Sequence, residues 1–241
     1  MIIIPARLKS SRFENKILCE IDNLPMFVYT AKKMQEVDEV CVALDDEEVL
    51  KIAQKHNIKA ILTSKNHESG TDRINEACQI LKLNDNELII NVQADEPFIE
   101  IQNIKKFKEF SQIAFEDEFC FMSSCYKEVD AKTCEDPNLV KVVTDSNDYA
   151  LYFSRSKIPY ERANYKQNFK AHLGIYAYKV KNLQEFCTLK NSALEECEKL
   201  EQLRALENGK KIKMLKIQSQ SIGIDTKEDY EKALARFGVK K

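Results

Sequence analysis

The chain of 241 residues predicts an α/β fold, a mostly parallel central sheet with an inserted antiparallel section. Three observations carry that reading. In the first half, short continuous apolar runs alternate with amphipathic stretches, the pattern of buried parallel strands joined by helices. In the second half, strand-like segments follow one another closely. Near the end, strand-then-helix order returns.

The elements follow in order. MIIIP (1–5) predicts a fully buried strand. PMFVYTAKKMQEV (25–37) predicts a helix, with Pro25 in its first turn and Phe27, Ala31 and Met34 at helical spacing. EVCVAL (39–44) and KAILT (59–63) are strands around a helix, DEEVLKIAQKH (46–56). TDRINEACQILK (71–82) is a helix entered through Ser69-Gly70, and ELIINVQ (87–93) is a fourth strand. The later strands are FCFMSSCYKEV (119–129), LVKVVTD (139–145), YALYFS (149–154) and AHLGIYAYKV (171–180). NSALEECEKLEQLRALENG (191–209) then predicts one helix. Ser192 and Glu195 make a capping box, Gly209 a stop, and Leu194, Cys197, Leu200, Leu203 and Leu206 an apolar stripe. KIKMLKI (211–217) is a strand and TKEDYEKALARF (226–237) the last helix. There is no internal repeat and no linker, so a single domain is expected.

Composition narrows the function. Charged residues make up 32% and hydrophobic ones 44%, with net charge −2, so no global field draws in nucleic acid or an anionic membrane. The apolar runs are too short to span a bilayer, and no targeting segment is evident; a cytoplasmic location is expected. The eight cysteines lack any C-x-x-C pair. Most are expected to be reduced, small core residues rather than disulfides or zinc ligands.

In open parallel sheets, ligands bind beyond the carboxyl ends of the strands. The first strand ends in Pro5-Ala6-Arg7 and runs into a cationic stretch with Lys9, Arg12 and Lys16 and no glycine. Arginine forks pair with phosphate oxygens and lysine adds a mobile charge, so this loop could hold a triphosphate. The plainer reading is a solvated basic loop. The fourth strand ends in Gln93-Ala94-Asp95-Glu96-Pro97. Asp95 fits a Mg²⁺ ligand, or equally a cap on the turn before Pro97. Asp225 stands at a helix start, where an N-cap is the favoured reading. His172, Arg155 and the pair Glu201-Gln202 are ambiguous; a solvated face is the default for the pair.

Taken together, IIIPAR, SGTDR, VQADEP, VKVVTD, YALYFSRSKIP, HLGIYAY, LEQLRALENG and GIDT run in this order along nearly the whole chain. This set resembles the 3-deoxy-manno-octulosonate cytidylyltransferases, the CMP-Kdo synthetases. The resemblance implies a Rossmann-like nucleotidyltransferase fold and a Mg²⁺-dependent reaction for lipopolysaccharide assembly. CTP and Kdo give CMP-Kdo and pyrophosphate, the sugar's 2-hydroxyl attacking the α-phosphate. It implies that Arg7, Arg12 and Lys16 meet the CTP phosphates, with Ser69, Gly70 and Arg73 beside the nucleotide. Asp95 and Asp225 would bind metal. Gln93, Arg155, His172, Tyr176, Glu201 and Gln202 would form the sugar pocket. The nucleotide part would occupy about residues 1–115, and a sugar-binding and dimerisation part about 116–220, in a cytoplasmic homodimer. A transferase for another sugar acid, such as neuraminate or an amino-substituted octulosonate, and a non-catalytic nucleotide-binding regulator are the alternatives.

Three places depart from the family pattern. Phe13-Glu14-Asn15-Lys16 replaces a usual Pro-Gly before the lysine, and a positive φ at Asn15 would reproduce the glycine's geometry. Ala94 replaces a glycine and should tolerate an ordinary backbone. Lys227 stands where proline is common, in a first turn that favours proline without needing it.

Overall fold

The computed structural model describes residues 1–9, 13–162 and 168–240. The chain divides into two compact units, Met1–Lys105 with Ser219–Lys241, and Lys106–Gln218.

The first unit opens with β1 (Ile2–Ala6). Ile2, Ile3 and Ile4 are fully buried, each worth about 1.5–3 kcal/mol over exposure. Two short strands, β2 (Glu20–Ile21) and β3 (Leu24–Pro25), form a hairpin whose turn residues Asp22 and Asn23 both have positive φ, as a type I′ turn demands. Pro25 then stands just before α1 (Met26–Met34), one position earlier than its expected first-turn place. β4 (Val40–Leu44) leads into α2 (Glu47–Lys55), capped by Asp46, and on to β5 (Ala60–Leu62). α3 (Gly70–Ile80) is capped by Ser69 and followed by β6 (Leu88–Asn91). The strands lie in the order β6-β1-β4-β5, all parallel. α4 (Ile101–Ala114) contains the division between the units.

In the second unit, β7 (Cys120–Val129) is followed by β8 (Lys141–Thr144), β9 (Ala150–Ser154) and β10 (Phe169–Lys179). α5 (Val180–Thr188) comes next. The predicted single helix over 191–209 is two helices, α6 (Ala193–Glu198) and α7 (Gln202–Glu207). Lys199, with φ 53° and ψ 49°, breaks it in the left-handed region. The capping box at Ser192 and the positive φ of Gly209 are as expected. The break splits the predicted stripe: Leu200 and Leu203 are buried as expected, but Leu194 and Cys197 are not. Cys197 is exposed and Leu194 is 38% exposed, while Leu200, Gln202, Leu203 and Ala205 are buried. β11 (Lys211–Lys216) pairs parallel with β7, and the other pairings here, β10 with β7 and β8, and β8 with β9, are antiparallel.

The returning segment of the first unit ends in α8 (Lys227–Phe237). Its Tyr230, Ala233 and Leu234 join Ile21, Met26, Phe98 and Ile224 in one cluster. Phe237 stacks on Phe98 at 4.3 Å between ring centres. Five of the eight cysteines are buried. Burial raises the thiols of Cys41, to about 11, and of Cys78 and Cys120, to about 12, so they stay protonated.

Candidate functional site

In the first unit a cavity of about 290 Å³ opens beyond the carboxyl ends of β1 and β6. Pro5, Ala6 and Arg7 continue β1 into it. Ser69 and Gly70 bring in the start of α3, and Gln93, Ala94 and Asp95 follow β6. A Cβ on Gly70 would stand 3.3 Å from Pro5 Cγ, so glycine lets the helix start close against the strand. The N-terminal end of this helix carries a positive partial charge, which suits an anion. Ala94 has no positive φ, and its carbonyl accepts from Thr30 Oγ1 at 3.0 Å.

Lys16 lines the cavity. Its ammonium donates to Asp95 Oδ2 at 2.5 Å, to Asp225 Oδ1 at 3.2 Å and to the Ile224 carbonyl at 3.0 Å. Three features aim these groups. Asn15, at φ 52° and ψ 28°, supplies the left-handed turn before Lys16. The Ile224 amide donates to the Asp95 carbonyl at 2.9 Å, tying together the two segments that carry the aspartates. The buried face of α8 anchors the second segment. The cap of α8 is Thr226, in a box with Asp229, which corrects the expectation that Asp225 is the cap. Asp225 precedes the cap, and its carboxylate points to Lys16. Lys227 is the first residue of the helix, as its position requires.

One cation already touches both aspartates, so the donor set fits a hard divalent ion bound by two carboxylates and completed by substrate oxygens and water. No group of three or more His, Cys, Asp or Glu suited to hold a metal occurs among the described residues.

Arg73 lines the cavity too, but its side chain is only 4% exposed and its donors face the protein. They meet Thr63 Oγ1 at 2.7 Å, the Ser64 carbonyl at 3.3 Å and Asp45 Oδ2 at 3.2 Å. Asp45 Oδ1 in turn accepts from the Leu8 amide at 3.0 Å. Arg73 thus fastens the start of the cationic loop through Asp45. Burial pushes its guanidinium pKa down, and Asp45 opposes that. Arg12 lies outside the described residues.

Sequence reasoning did not single out Asp45, the partner of Arg73, or His67, which lines the cavity with its Nε2 2.5 Å from Glu76 Oε2. Burial pushes the Glu76 carboxyl up, but the Ser64 amide and His67 outweigh it and hold it below its usual range. The usable signal for His67 was its place two residues before Ser69-Gly70, as one of three histidines.

In the second unit, His172 on β10 is 8% exposed, and burial lowers its pKa to about 3, so the ring is neutral. Its Nε2 lies 2.9 Å from Ser124 Oγ. Phe153 meets the ring edge-on at 4.9 Å and Tyr176 at 5.4 Å, between centres. The Tyr176 hydroxyl is pushed well up, first by burial and then by the charge of Glu201. Gln202, at the start of α7, is buried, and Glu201 is half-buried. Neither lies on the solvated face that the one-helix reading gave them, because the break at Lys199 turns both inward. Arg155 follows β9. Its fork donates to three carbonyls, those of Glu198 at 2.7 Å, Pro137 at 3.2 Å and Lys199 at 3.4 Å. No helix among the described residues is long and apolar enough to cross a membrane.

Known proteins resemble this chain along its whole length. A family model described as Cytidylyltransferase matches residues 1–212. A 3-deoxy-manno-octulosonate cytidylyltransferase of Nitratiruptor sp. is 54% identical, across 98% of this chain and 99% of its own. One from Wolinella succinogenes is 52% identical, across 99% of both. A solved CMP:2-keto-3-deoxy-manno-octonic acid synthetase complexed with CTP superposes with a TM-score of 0.91 at 36% identity, covering 98% of this chain and 97% of that one. A glucose-1-phosphate thymidylyltransferase from Bacillus anthracis, described as putative by its name, shares the fold at a TM-score of 0.65 and 18% identity, over 98% of this chain and 94% of its own.

Proposed function

This chain belongs to the 3-deoxy-manno-octulosonate cytidylyltransferase family, and from that premise we propose that it transfers the cytidylyl group of CTP to Kdo. The oxygen of the sugar's 2-hydroxyl bonds to the α-phosphorus. The bond from that phosphorus to its bridging oxygen breaks, pyrophosphate leaves, and the hydroxyl proton is released. The product serves lipopolysaccharide assembly. The observation that carries the reading is Lys16 held between Asp95 and Asp225 in the cavity beyond β1 and β6.

The chain's own residues bind and orient. Arg7, Lys16 and, by resemblance, Arg12 pair with the phosphates of CTP, with Ser69 and Gly70 adding the amide-rich start of α3. Arg73 acts one step back, holding Asp45 and through it the loop. Asp95 and Asp225 would hold Mg²⁺, which supplies Lewis-acid neutralisation of phosphate charge when bound. In the second unit His172, Tyr176, Glu201 and Gln202 read the sugar, and Gln93 keeps its role there only by resemblance. Arg155 holds the Glu198–Lys199 turn that leads into Glu201 and Gln202. A buried polar group left unpaired costs about 1–3 kcal/mol, so a site with several such groups rejects sugars that lack their partners. The reading includes a cytoplasmic homodimer, for which sedimentation tests the stoichiometry.

The deciding assay is pyrophosphate release from CTP across a panel of sugar acids at ordinary Mg²⁺. Release with Kdo, in strong preference to neuraminate and amino-substituted octulosonates, is expected. Preference for another acid would reassign the substrate, and no release with any would make the chain a nucleotide binder.

A further inference from the structure

Ser124 lies fully buried on β7, behind His172. The register of β10 on β7 shifts between Leu173 and Tyr176. That irregularity brings two carbonyls to the Ser124 hydroxyl, Ile175 at 2.8 Å and Leu173 at 3.3 Å. The third neighbour is His172 Nε2, at 2.9 Å. A serine hydroxyl has one hydrogen and two lone pairs, and a carbonyl oxygen can only accept.

Two assignments are possible. If Ser124 gives its hydrogen to His172, its oxygen faces the Ile175 carbonyl at 2.8 Å with no hydrogen between two electron-rich atoms. If it gives its hydrogen to Ile175, a lone pair is left toward His172, and Nε2 must then carry the imidazole hydrogen. Only the second puts a hydrogen in both short contacts of the hydroxyl, to Ile175 and to His172. A neutral ring has one N–H, so Nδ1 is then a bare acceptor. Among the described residues no hydrogen-bond partner faces Nδ1.

We propose that Ser124 is a positioning residue that fixes His172 as the Nε2–H tautomer, so that Nδ1 accepts a hydrogen bond from a hydroxyl of the sugar. The orienting partner of one ring nitrogen determines what the other can do. This Nδ1 selects a ligand O–H and rejects a carbonyl or ether oxygen placed there. The identity of the sugar rests on the proposed function, whereas the tautomer does not.

The test uses the full chain with ¹⁵N-labelled histidine. There are three histidines, and His172→Gln identifies the relevant signals. In the wild type, Nε2 is expected to resonate as a pyrrole-like, protonated nitrogen and Nδ1 as a pyridine-like one. Ser124→Ala should lose that clear assignment and raise the KM for Kdo about tenfold, the worth of about one hydrogen bond. The KM for CTP should stay within about twofold. A wild-type Nδ1–H tautomer overturns the proposal even if Ser124→Ala does not fold. So does a folded Ser124→Ala with an unchanged KM for Kdo. A wild type that does not turn over Kdo refutes the proposed function instead and leaves the tautomer to be read from the spectrum.

Discussion

Asn15 gives the sharpest prediction about how the loop finds its lysine. The left-handed region costs an L-residue roughly 1–2 kcal/mol, little for asparagine and most for a β-branched side chain. At φ 52° and ψ 28° Asn15 sits inside that region. Its carbonyl accepts from the Leu18 amide at 2.9 Å, and the Lys16 amide donates to the Phe13 carbonyl at 3.3 Å. The turn therefore cannot flip alone without breaking both bonds. Asn15→Val should cost about 2 kcal/mol, and Asn15→Gly about nothing or a small gain. For a chain of this size, about 2 kcal/mol corresponds to a fall in Tm of about 4–8 °C. If the turn instead relaxes, Lys16 leaves Asp95 and Asp225, and the KM for CTP rises. The assays are a thermal scan and steady-state kinetics on both variants. A valine variant with wild-type Tm and wild-type KM for CTP would refute the reasoning that the turn sets the lysine.

Other perturbations separate the remaining roles. Asp95→Asn and Asp225→Asn should each lower kcat about 100-fold or more, the several kcal/mol of charge stabilisation at stake, with unchanged circular dichroism; near-normal rates in both at ordinary Mg²⁺ would remove the metal assignment. Asp45→Ala should destabilise the chain by about 3 kcal/mol in urea unfolding, because Arg73 is left as a buried charge without its carboxylate, while Asp45→Asn keeps an acceptor for the Leu8 amide and should cost less. If the two variants match the wild type, that chain of contacts is not structural. His172 predicts an acid limb. The unfolded imidazole binds its proton near 6.5 and the folded one only near 3, so in that window the unfolded state holds more protons and acid favours it. Relative to His172→Gln, wild-type stability should start to fall near pH 6.5 and approach a slope of about 1.4 kcal/mol per pH unit below about pH 5.5; parallel urea titrations would count against it.

Much of this was legible because burial writes itself into sequence. β1 and β4 are continuous apolar runs since both faces are covered, and α2 and α3 carry their caps openly in Asp46 and Ser69. The break at Lys199 was not legible. Lysine is not a residue that marks a left-handed position, and the leucines at 194, 200, 203 and 206 keep helical spacing straight through it. Spacing records which residues are apolar, and it is blind to a change of axis between them. The buried places of Gln202 and Ala205 follow only from that change.

The site divides along the same line. The charges beyond β1 and β6 announced themselves, but their pairing did not, since Lys16 meets partners 79 and 209 positions away. Asp225 is the clearest instance. Next to a helix start, a carboxylate reads as a cap until Thr226 takes the cap with Asp229. That exchange of roles matters for function, because capping would tie up one of the carboxylate's two oxygens in helix amides. With the cap filled by its neighbour, Asp225 turns to Lys16 beside Asp95. Two carboxylates against one ammonium leave this group a positive charge short, in a cavity proposed to receive a triphosphate. Such a group repels the nucleotide unless more positive charge enters with it. A divalent cation held by Asp95 and Asp225 would offset that deficit, and Lys16 would then be free to pair with the phosphates. Lys16→Met should therefore weaken CTP binding while sparing Mg²⁺ binding, and isothermal titration of each alone would expose the opposite ordering if it holds.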